Sequence, residues 1–102
     1  MSEKPPDPGQ QAYEDLLTRW RKARLCFEAA DKPQWKRTVE AMLAFKGLKL
    51  TPLPPRWRKR VDSAFEQIND ILADYPLQTW DDYAKISAAD LTRIEKLIIA
   101  IL

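Results

Sequence analysis

The sequence contains no histidine and only one cysteine, Cys26, among its 102 residues. Histidine is the commonest general base and the commonest metal ligand in proteins, and structural zinc sites are built from cysteine and histidine. We therefore expect no metal site and no cofactor. Because a single cysteine cannot form an internal disulfide, nothing in the sequence indicates an oxidising compartment.

Glycine is also scarce, since the chain has only Gly9 and Gly47. Two isolated glycines cannot form a glycine-rich phosphate-binding loop. Neighbouring carboxylates such as Asp81 and Asp82 would diverge by about 100° on a helix, so they would not share a catalytic site. The sequence predicts no catalytic residue, and we expect that the protein is not an enzyme.

Long apolar runs are missing as well. The longest, "LIIAIL" at residues 97–102, has six residues, whereas about 20 are needed to span a bilayer. The first residues, "MSEKPPDPGQ", contain no apolar stretch of the kind found in secretion signals. These features favour a cytoplasmic protein with no membrane partner.

The apolar residues that are present recur at steps of three and four, which is typical of helices. The pattern predicts an all-α fold, a small bundle of four main helices plus one short helical turn, in a single domain over residues 10–102. A proline-rich tail is expected over residues 1–9 and a stiff proline-rich connector over residues 48–55. The main helices are predicted at residues 10–30, 33–46, 55–75 and 88–102, and the short one at residues 79–85.

Several polar residues and one glycine mark the expected helix ends. Asp31 is predicted to cap the second helix, with Pro33 in its first turn, and Gly47 to end that helix in a left-handed conformation. The stretches "TWDD" and "SAAD", which begin at Thr79 and Ser87, resemble capping boxes.

The motif "RWRK" occurs twice, at residues 19–22 and 56–59. Its tryptophans, Trp20 and Trp57, fall on the apolar stripes of their helices, in line with Phe27 and Phe65 respectively. They are therefore predicted to pack in the core and not to stack on nucleic-acid bases. The cations beside them are predicted to point outward.

Charge is distributed very unevenly along the chain. Residues 19–60 hold thirteen Lys or Arg and three Asp or Glu, a net charge of +10, whereas residues 61–102 carry a net charge of −5. The third helix has four cations at residues 56–60 and ends with Asp70 and Asp74, the reverse of what the helix dipole favours. Two interpretations stay open: an acidic segment containing Asp81, Asp82, Asp90 or Glu95 folds over these cations, or they bind an external anion.

The first functional hypothesis is a small non-enzymatic helical regulator that binds nucleic acid, with DNA favoured over RNA. No helix-turn-helix is predicted, because the segment "FKGLKLTPLPPR" is too long and too rich in proline for its turn. The alternative is a protein–protein interaction module (an adaptor, an inhibitor or an accessory subunit) that docks on an acidic partner and has no nucleic-acid role. The predicted anion-binding residues are Arg19, Arg21, Lys22, Lys36, Arg37, Arg56, Arg58, Lys59 and Arg60.

The C-terminal segment is apolar on all sides of its final turn. Three arrangements would cover it: a central position in the bundle, a homodimer formed through the C-terminal helix, or a continuation of the chain. The residues predicted for an oligomer interface are Leu97, Ile98, Ile99, Ile101 and Leu102.

Overall fold

The computed structural model describes residues 7–102 and confirms an all-α fold, with no strand in that part of the chain. Four α-helices and one 3₁₀ helix follow one another along the sequence. They are α1 (Pro8–Phe27), α2 (Gln34–Leu43), α3 (Pro55–Leu72), the 3₁₀ helix (Trp80–Lys85) and α4 (Ala88–Ile99). None of these helices is both long enough and apolar enough to span a membrane.

Helix α1 begins two residues before its predicted start, because Asp7 caps it. The Asp7 side chain accepts a hydrogen bond from the Gly9 backbone N–H at 3.0 Å, and Pro8 occupies the first helical position. Pro8 and Gly9, predicted to be in the tail, therefore belong to α1. The rest of the predicted tail, residues 1–6, lies outside the described residues.

The cap predicted for α2 is wrong. Pro33, not Asp31, is the N-cap residue, and no side chain caps this helix. At the other end α2 stops at Leu43, and tight turns continue to Gly47, whose φ of 84° lies in the left-handed region. Gly47 thus reverses the chain in the conformation expected for it, four residues after the last α-helical one.

Of the two capping stretches near the C-terminus, the box at Thr79 is confirmed, and the one at Ser87 is confirmed only as a serine N-cap. The Asp82 carboxylate accepts the backbone N–H groups of Gln78 and Thr79, each at 2.9 Å, in front of the 3₁₀ helix. The Ser87 hydroxyl accepts the Asp90 backbone N–H at 3.2 Å and so begins α4. Asp82 takes the place that glutamate more often fills in such boxes, whereas the Ser87 backbone N–H donates to the Tyr75 hydroxyl and not to Asp90.

Helix α4 is the centre of the bundle, because it packs against α1, α2 and α3. Its residues Ile94 and Ile98 are almost completely buried, together with Leu16 of α1 and Ile68 of α3. The connector contributes Leu53, which is only 1% exposed. Burial of such a side chain stabilises a fold by about 1.5–3 kcal/mol, so the connector is part of the core as well as a spacer.

Candidate partner-binding surface

Arg19 is bound by its own chain. Its Nε donates to the Asp15 carboxylate at 2.9 Å, and its Nη1 donates to the carbonyls of Ala44, at 3.2 Å, and Lys46. These carbonyls follow the end of α2, where backbone acceptors have no partner within the helix. Arg19 therefore joins α1 to the end of α2.

Arg37 also points into the protein. Its Nη1 donates to the Phe27 carbonyl at the end of α1, at 3.3 Å. Its Nε is buried and has no hydrogen-bond partner among residues 7–102. A cavity of 60 Å³ adjoins the guanidinium, with Thr38 and Glu95 in its wall. The residue is half-buried and packs between helices.

Arg58 holds the connector against α3. Its Nη2 donates to the carbonyls of Thr51, at 3.0 Å, and Leu53, at 2.9 Å. Leu53 is the buried residue of the connector. These two hydrogen bonds therefore hold the end of the connector against the first turn of α3. Arg58 thus joins Arg19 and Arg37 as a predicted anion-binding residue that donates to carbonyls of its own chain.

The other six predicted cations form no ion pair within residues 7–102. Arg21 and Lys22 are exposed on α1, and Lys36 is half-buried on α2. Arg56, Lys59 and Arg60 are exposed on α3. The structure brings only the three α3 cations into one concave site.

That site, which we call the basic groove, is a cleft of 480 Å³ between α3 and α4. Its floor is apolar, and its α3 wall carries three cations and no acidic side chain. The residues that line it are Arg56, Lys59, Arg60, Ser63, Ala64, Gln67, Leu97, Ala100 and Ile101.

Two guanidinium groups of the basic groove are positioned by one tryptophan. The Arg56 and Arg60 guanidinium carbons lie 5.2 and 5.3 Å from the centroid of the Trp57 ring, within the range of cation–π attraction. Trp57 in turn contacts Tyr13 of α1, with ring centroids 5.0 Å apart. Because the ring is half-buried against the core, it holds both cations beside the groove in advance of any ligand.

Trp20, in contrast, contacts the C-terminal end of α4. Its indole N–H points at the carbonyls of Ile98 and Ile99, at 3.2 and 3.3 Å, and Arg24 lies 5.3 Å from its ring centroid. Both tryptophans of the "RWRK" motifs are packed against the core, as predicted. Arg24 was not among the predicted site residues, although its spacing of four from Trp20 places it on the same flank of α1.

None of the acidic residues considered as internal partners of the α3 cations forms an ion pair with them within residues 7–102. Asp82 is 3.5 Å from Lys85, and Asp90 accepts the Tyr75 hydroxyl at 2.5 Å and lies 3.4 Å from Arg93. The backbone N–H of Gln78 above all holds the pKa of Asp82 below its ordinary value.

The Tyr75 hydrogen bond is the main reason why the pKa of Asp90 is likewise lowered. Asp82 and Asp90 are thus stabilised in their charged forms by hydrogen bonds from residues other than the α3 cations. Neither forms an ion pair with an α3 cation among residues 7–102.

The five residues predicted for an oligomer interface have different environments. Ile98 and Ile101 are each 1% exposed and belong to the core, whereas Leu97 and Leu102 are half-buried against it. Ile99 is 42% exposed. The central position of α4, one of the three arrangements considered, therefore covers Ile98 and Ile101.

The uncharged residues of the basic groove were not predicted from the sequence. Ser63 and Gln67 continue the flank of Arg56, Lys59 and Arg60 at steps of three and four, so spacing alone could have placed them there. Leu97, which is also predicted at an oligomer interface, lies in the floor of the groove. No sequence pattern indicates that this flank of α3 faces α4.

Comparisons of the chain with protein-family models, with curated proteins and with solved structures found no match. Residues 7–102 also contain no cluster of side chains that would hold a metal ion.

Proposed function

We propose that this protein is a non-enzymatic interaction module whose basic groove binds an acidic segment of a protein partner. The observation that carries the proposal is the combination of three cations without ion pairs in the described chain and an apolar floor beside them. Protein interfaces combine an apolar centre with a polar rim in this way. A phosphate backbone would use the cations but would gain little from the floor.

The helix dipole supports an anionic partner at this place. Arg56, Lys59 and Arg60 lie in the first two turns of α3, where the partial positive charge of the helix N-terminus repels them. An acidic side chain bound beside them would interact favourably with the cations and with the dipole together. Complementary charge would also speed association, most strongly at low salt.

The alternative proposal is the nucleic-acid regulator. It is supported by the exposed cations outside the basic groove, above all Arg21 and Lys22, which would extend a phosphate-binding surface. If about five phosphates were neutralised, log K would fall with log salt at a slope of about −4 to −5. A protein interaction through three rim cations would show a weaker dependence.

Fluorescence polarisation with three labelled probes tests the two proposals. The probes are random duplex DNA, single-stranded RNA and an acidic amphipathic peptide, each titrated with the protein at about 50 mM and about 200 mM salt. We expect binding of the peptide only. Binding of either nucleic acid with a steep salt dependence, and no binding of the peptide, would replace the first proposal by the second.

A pair of double variants locates the binding surface. Arg56→Glu/Lys59→Glu reverses two charges of the basic groove, and Arg21→Glu/Lys22→Glu makes the same charge change on α1. We expect the first to weaken peptide binding by tenfold or more, that is by about 1.4 kcal/mol, and the second to leave it unchanged. Equal losses in both variants would indicate a diffuse electrostatic surface, and circular dichroism would check that both variants fold.

A further inference from the structure

A second cleft, of 580 Å³, continues the basic groove along α3 and α4. The two clefts share Gln67, Leu97 and Ala100, so they adjoin one another along α3 and α4, and we call them together the long groove. The residues that line its second half are Gln67, Asp70, Ile71, Asp74, Arg93, Lys96, Leu97 and Ala100.

The long groove has the length of a short helix. From Arg56 to Asp70 the wall formed by α3 rises by about 21 Å, at 1.5 Å per residue, which is about four turns. At its midpoint Ala100 presents a small exposed side chain, and Leu97 beside it is half-buried. A partner backbone can therefore approach closely there and place apolar side chains on Leu97.

Charge changes along the long groove. The end at Arg56, Lys59 and Arg60 carries three cations and no acidic side chain. At the other end Asp70 of α3 and Asp74, just after that helix, line the cleft together with Arg93 and Lys96 of α4, so the formal charges balance. A complementary ligand has its acidic residues concentrated at one end.

The walls of the long groove restrict the backbone of the ligand. Both walls are α-helices, whose interior N–H and C=O groups are bonded within the helix, and residues 7–102 contain no strand edge to which an extended peptide could add. A helix satisfies its own backbone hydrogen bonds and needs only side-chain contacts.

We infer that the basic groove and its continuation bind one amphipathic α-helix of an acidic protein partner. Its apolar stripe lies on Leu97 and Ala100, and its last turn carries acidic residues over Arg56, Lys59 and Arg60. The partial negative charge at the C-terminus of the incoming helix favours this direction, antiparallel to α3. The inference rests on the proposed function and adds the secondary structure, place and direction of the ligand.

The test uses labelled peptides of about 18 residues, long enough to cover the 21 Å wall with one turn to spare. The reference peptide has leucine at i, i+3, i+4 and i+7 positions and glutamates in its last turn. A second peptide carries two central prolines at polar positions, which break the helix and leave charge and leucines unchanged. We expect the proline peptide to bind at least tenfold more weakly.

Protein variants test the place of binding. Ala100→Trp fills the midpoint of the long groove, and Gln67→Trp fills it from the α3 wall. Ala30→Trp, in the exposed turn after α1, is the matched control. We expect each groove variant to weaken binding of the reference peptide by tenfold or more and the control to bind as the wild type does, with circular dichroism verifying the fold of all three.

The direction of the bound peptide relative to α3 is measured with a nitroxide spin label at the C-terminus of the reference peptide. We expect NMR broadening of amide signals around Arg56 and Lys59, and none around Asp74 and Arg93. Broadening at the Asp74 end instead would overturn the inferred direction.

The outcomes separate this inference from the proposed function. If no peptide binds the wild-type protein at low salt, the proposed function fails. If the proline peptide binds as well as the reference, or if neither groove variant weakens binding while Arg56→Glu/Lys59→Glu does, the function stands and helical docking in the long groove is overturned. Sedimentation could also show that the wild type is a dimer and that Ala100→Trp is a monomer. That result would assign the long groove to a second copy of the chain and would overturn the inference of a helical partner.

Discussion

At the scale of single residues, the arginines have two roles, binding the backbone of their own chain and facing the basic groove, and Arg60 has both. Arg19, Arg37 and Arg58 donate to backbone carbonyls, and each connects two segments of the chain. Arg56 lies two residues before Arg58 on α3 and faces the basic groove. Each helical residue is rotated by about 100° from the one before it, so Arg56 and Arg58 point to opposite sides of α3. One can therefore face the groove while the other binds the connector.

We expect Arg58→Ala to destabilise the protein by about 1 kcal/mol, because it removes two charge-assisted hydrogen bonds at a partly exposed site. Lys59→Ala, the adjacent exposed cation, should change the free energy of unfolding by less than about 0.5 kcal/mol. Urea denaturation of both variants measures the difference. Equal effects would show that the bonds to Thr51 and Leu53 contribute nothing to stability.

Acid should weaken the fold through Asp82 and Asp90. Both carboxyls have a pKa below the ordinary aspartate value of 3.8 in the folded protein, chiefly because the Gln78 N–H and the Tyr75 hydroxyl donate to them. Their contribution to stability is complete above that ordinary value and is lost as the pH falls through the lower folded value. Asparagine at these positions keeps an acceptor oxygen and does not titrate.

We therefore expect Asp82→Asn/Asp90→Asn to lose less stability than the wild type between about pH 5 and about pH 2, as measured by urea denaturation at each pH. The control is Asp70→Asn/Asp81→Asn, which removes two exposed carboxylates. If the control flattens the pH dependence as much as the test variant, the hydrogen-bonded carboxylates are not its source.

At the scale of the helices, the two glycines have opposite roles. Gly47 has a backbone φ of 84°, an angle that residues other than glycine rarely adopt. Gly9 lies in the first turn of α1, where an added Cβ would meet the Pro52 carbonyl oxygen at 3.5 Å, an ordinary contact. Only the first of these positions requires glycine.

We expect Gly47→Ala to destabilise the protein by about 1–2 kcal/mol, because alanine is strained in the left-handed region. Gly9→Ala should stabilise it by about 0.4–1 kcal/mol, because alanine restricts the unfolded chain at a helical position. Thermal unfolding of the two variants shows whether each substitution raises or lowers the stability. A loss of stability in both would mean that the first turn of α1 does not tolerate a Cβ.

At the scale of the whole molecule, α4 is the element against which α1, α2 and α3 pack. Its C-terminal end receives the Trp20 indole from α1, and the Arg60 guanidinium from α3 lies 3.5 Å from the Ile101 carbonyl. The most apolar segment of the sequence is therefore used mainly inside the chain, with Ile99 left on the surface.

We expect Ile98→Ala to cost about 2–5 kcal/mol of stability, because it opens a cavity in the core. Ile99→Ala should cost about 0.5 kcal/mol or less, because that side chain is 42% exposed. Urea denaturation compares these adjacent residues. Similar costs would mean that Ile99 is covered in solution, and sedimentation of the wild type would then test for a second copy.

The fold class followed from the sequence because apolar spacing is a local property that each helix carries in its own residues. The same holds for the caps at Thr79 and Ser87, which need only a side chain and an N–H three residues apart. The cap assigned to Asp31 failed because the chain enters α2 through Pro33. Local patterns are thus sufficient where a local hydrogen bond decides the structure.

The candidate site was only partly predictable. Charge counting identified Arg56, Lys59 and Arg60, but it could not show that Arg19 and Arg58 bind carbonyls of residues outside their own helices. Nor could it show that Leu97 of α4 lies beside those cations.

The sequence by itself determined which residues are apolar, which are charged and which stretches form helices, since these depend on neighbours along the chain. Only the tertiary structure decided that α3 and α4 enclose a groove with cations at one end, because that depends on which flanks of two helices meet. Side-chain packing sets that choice, and packing joins residues that are far apart in sequence.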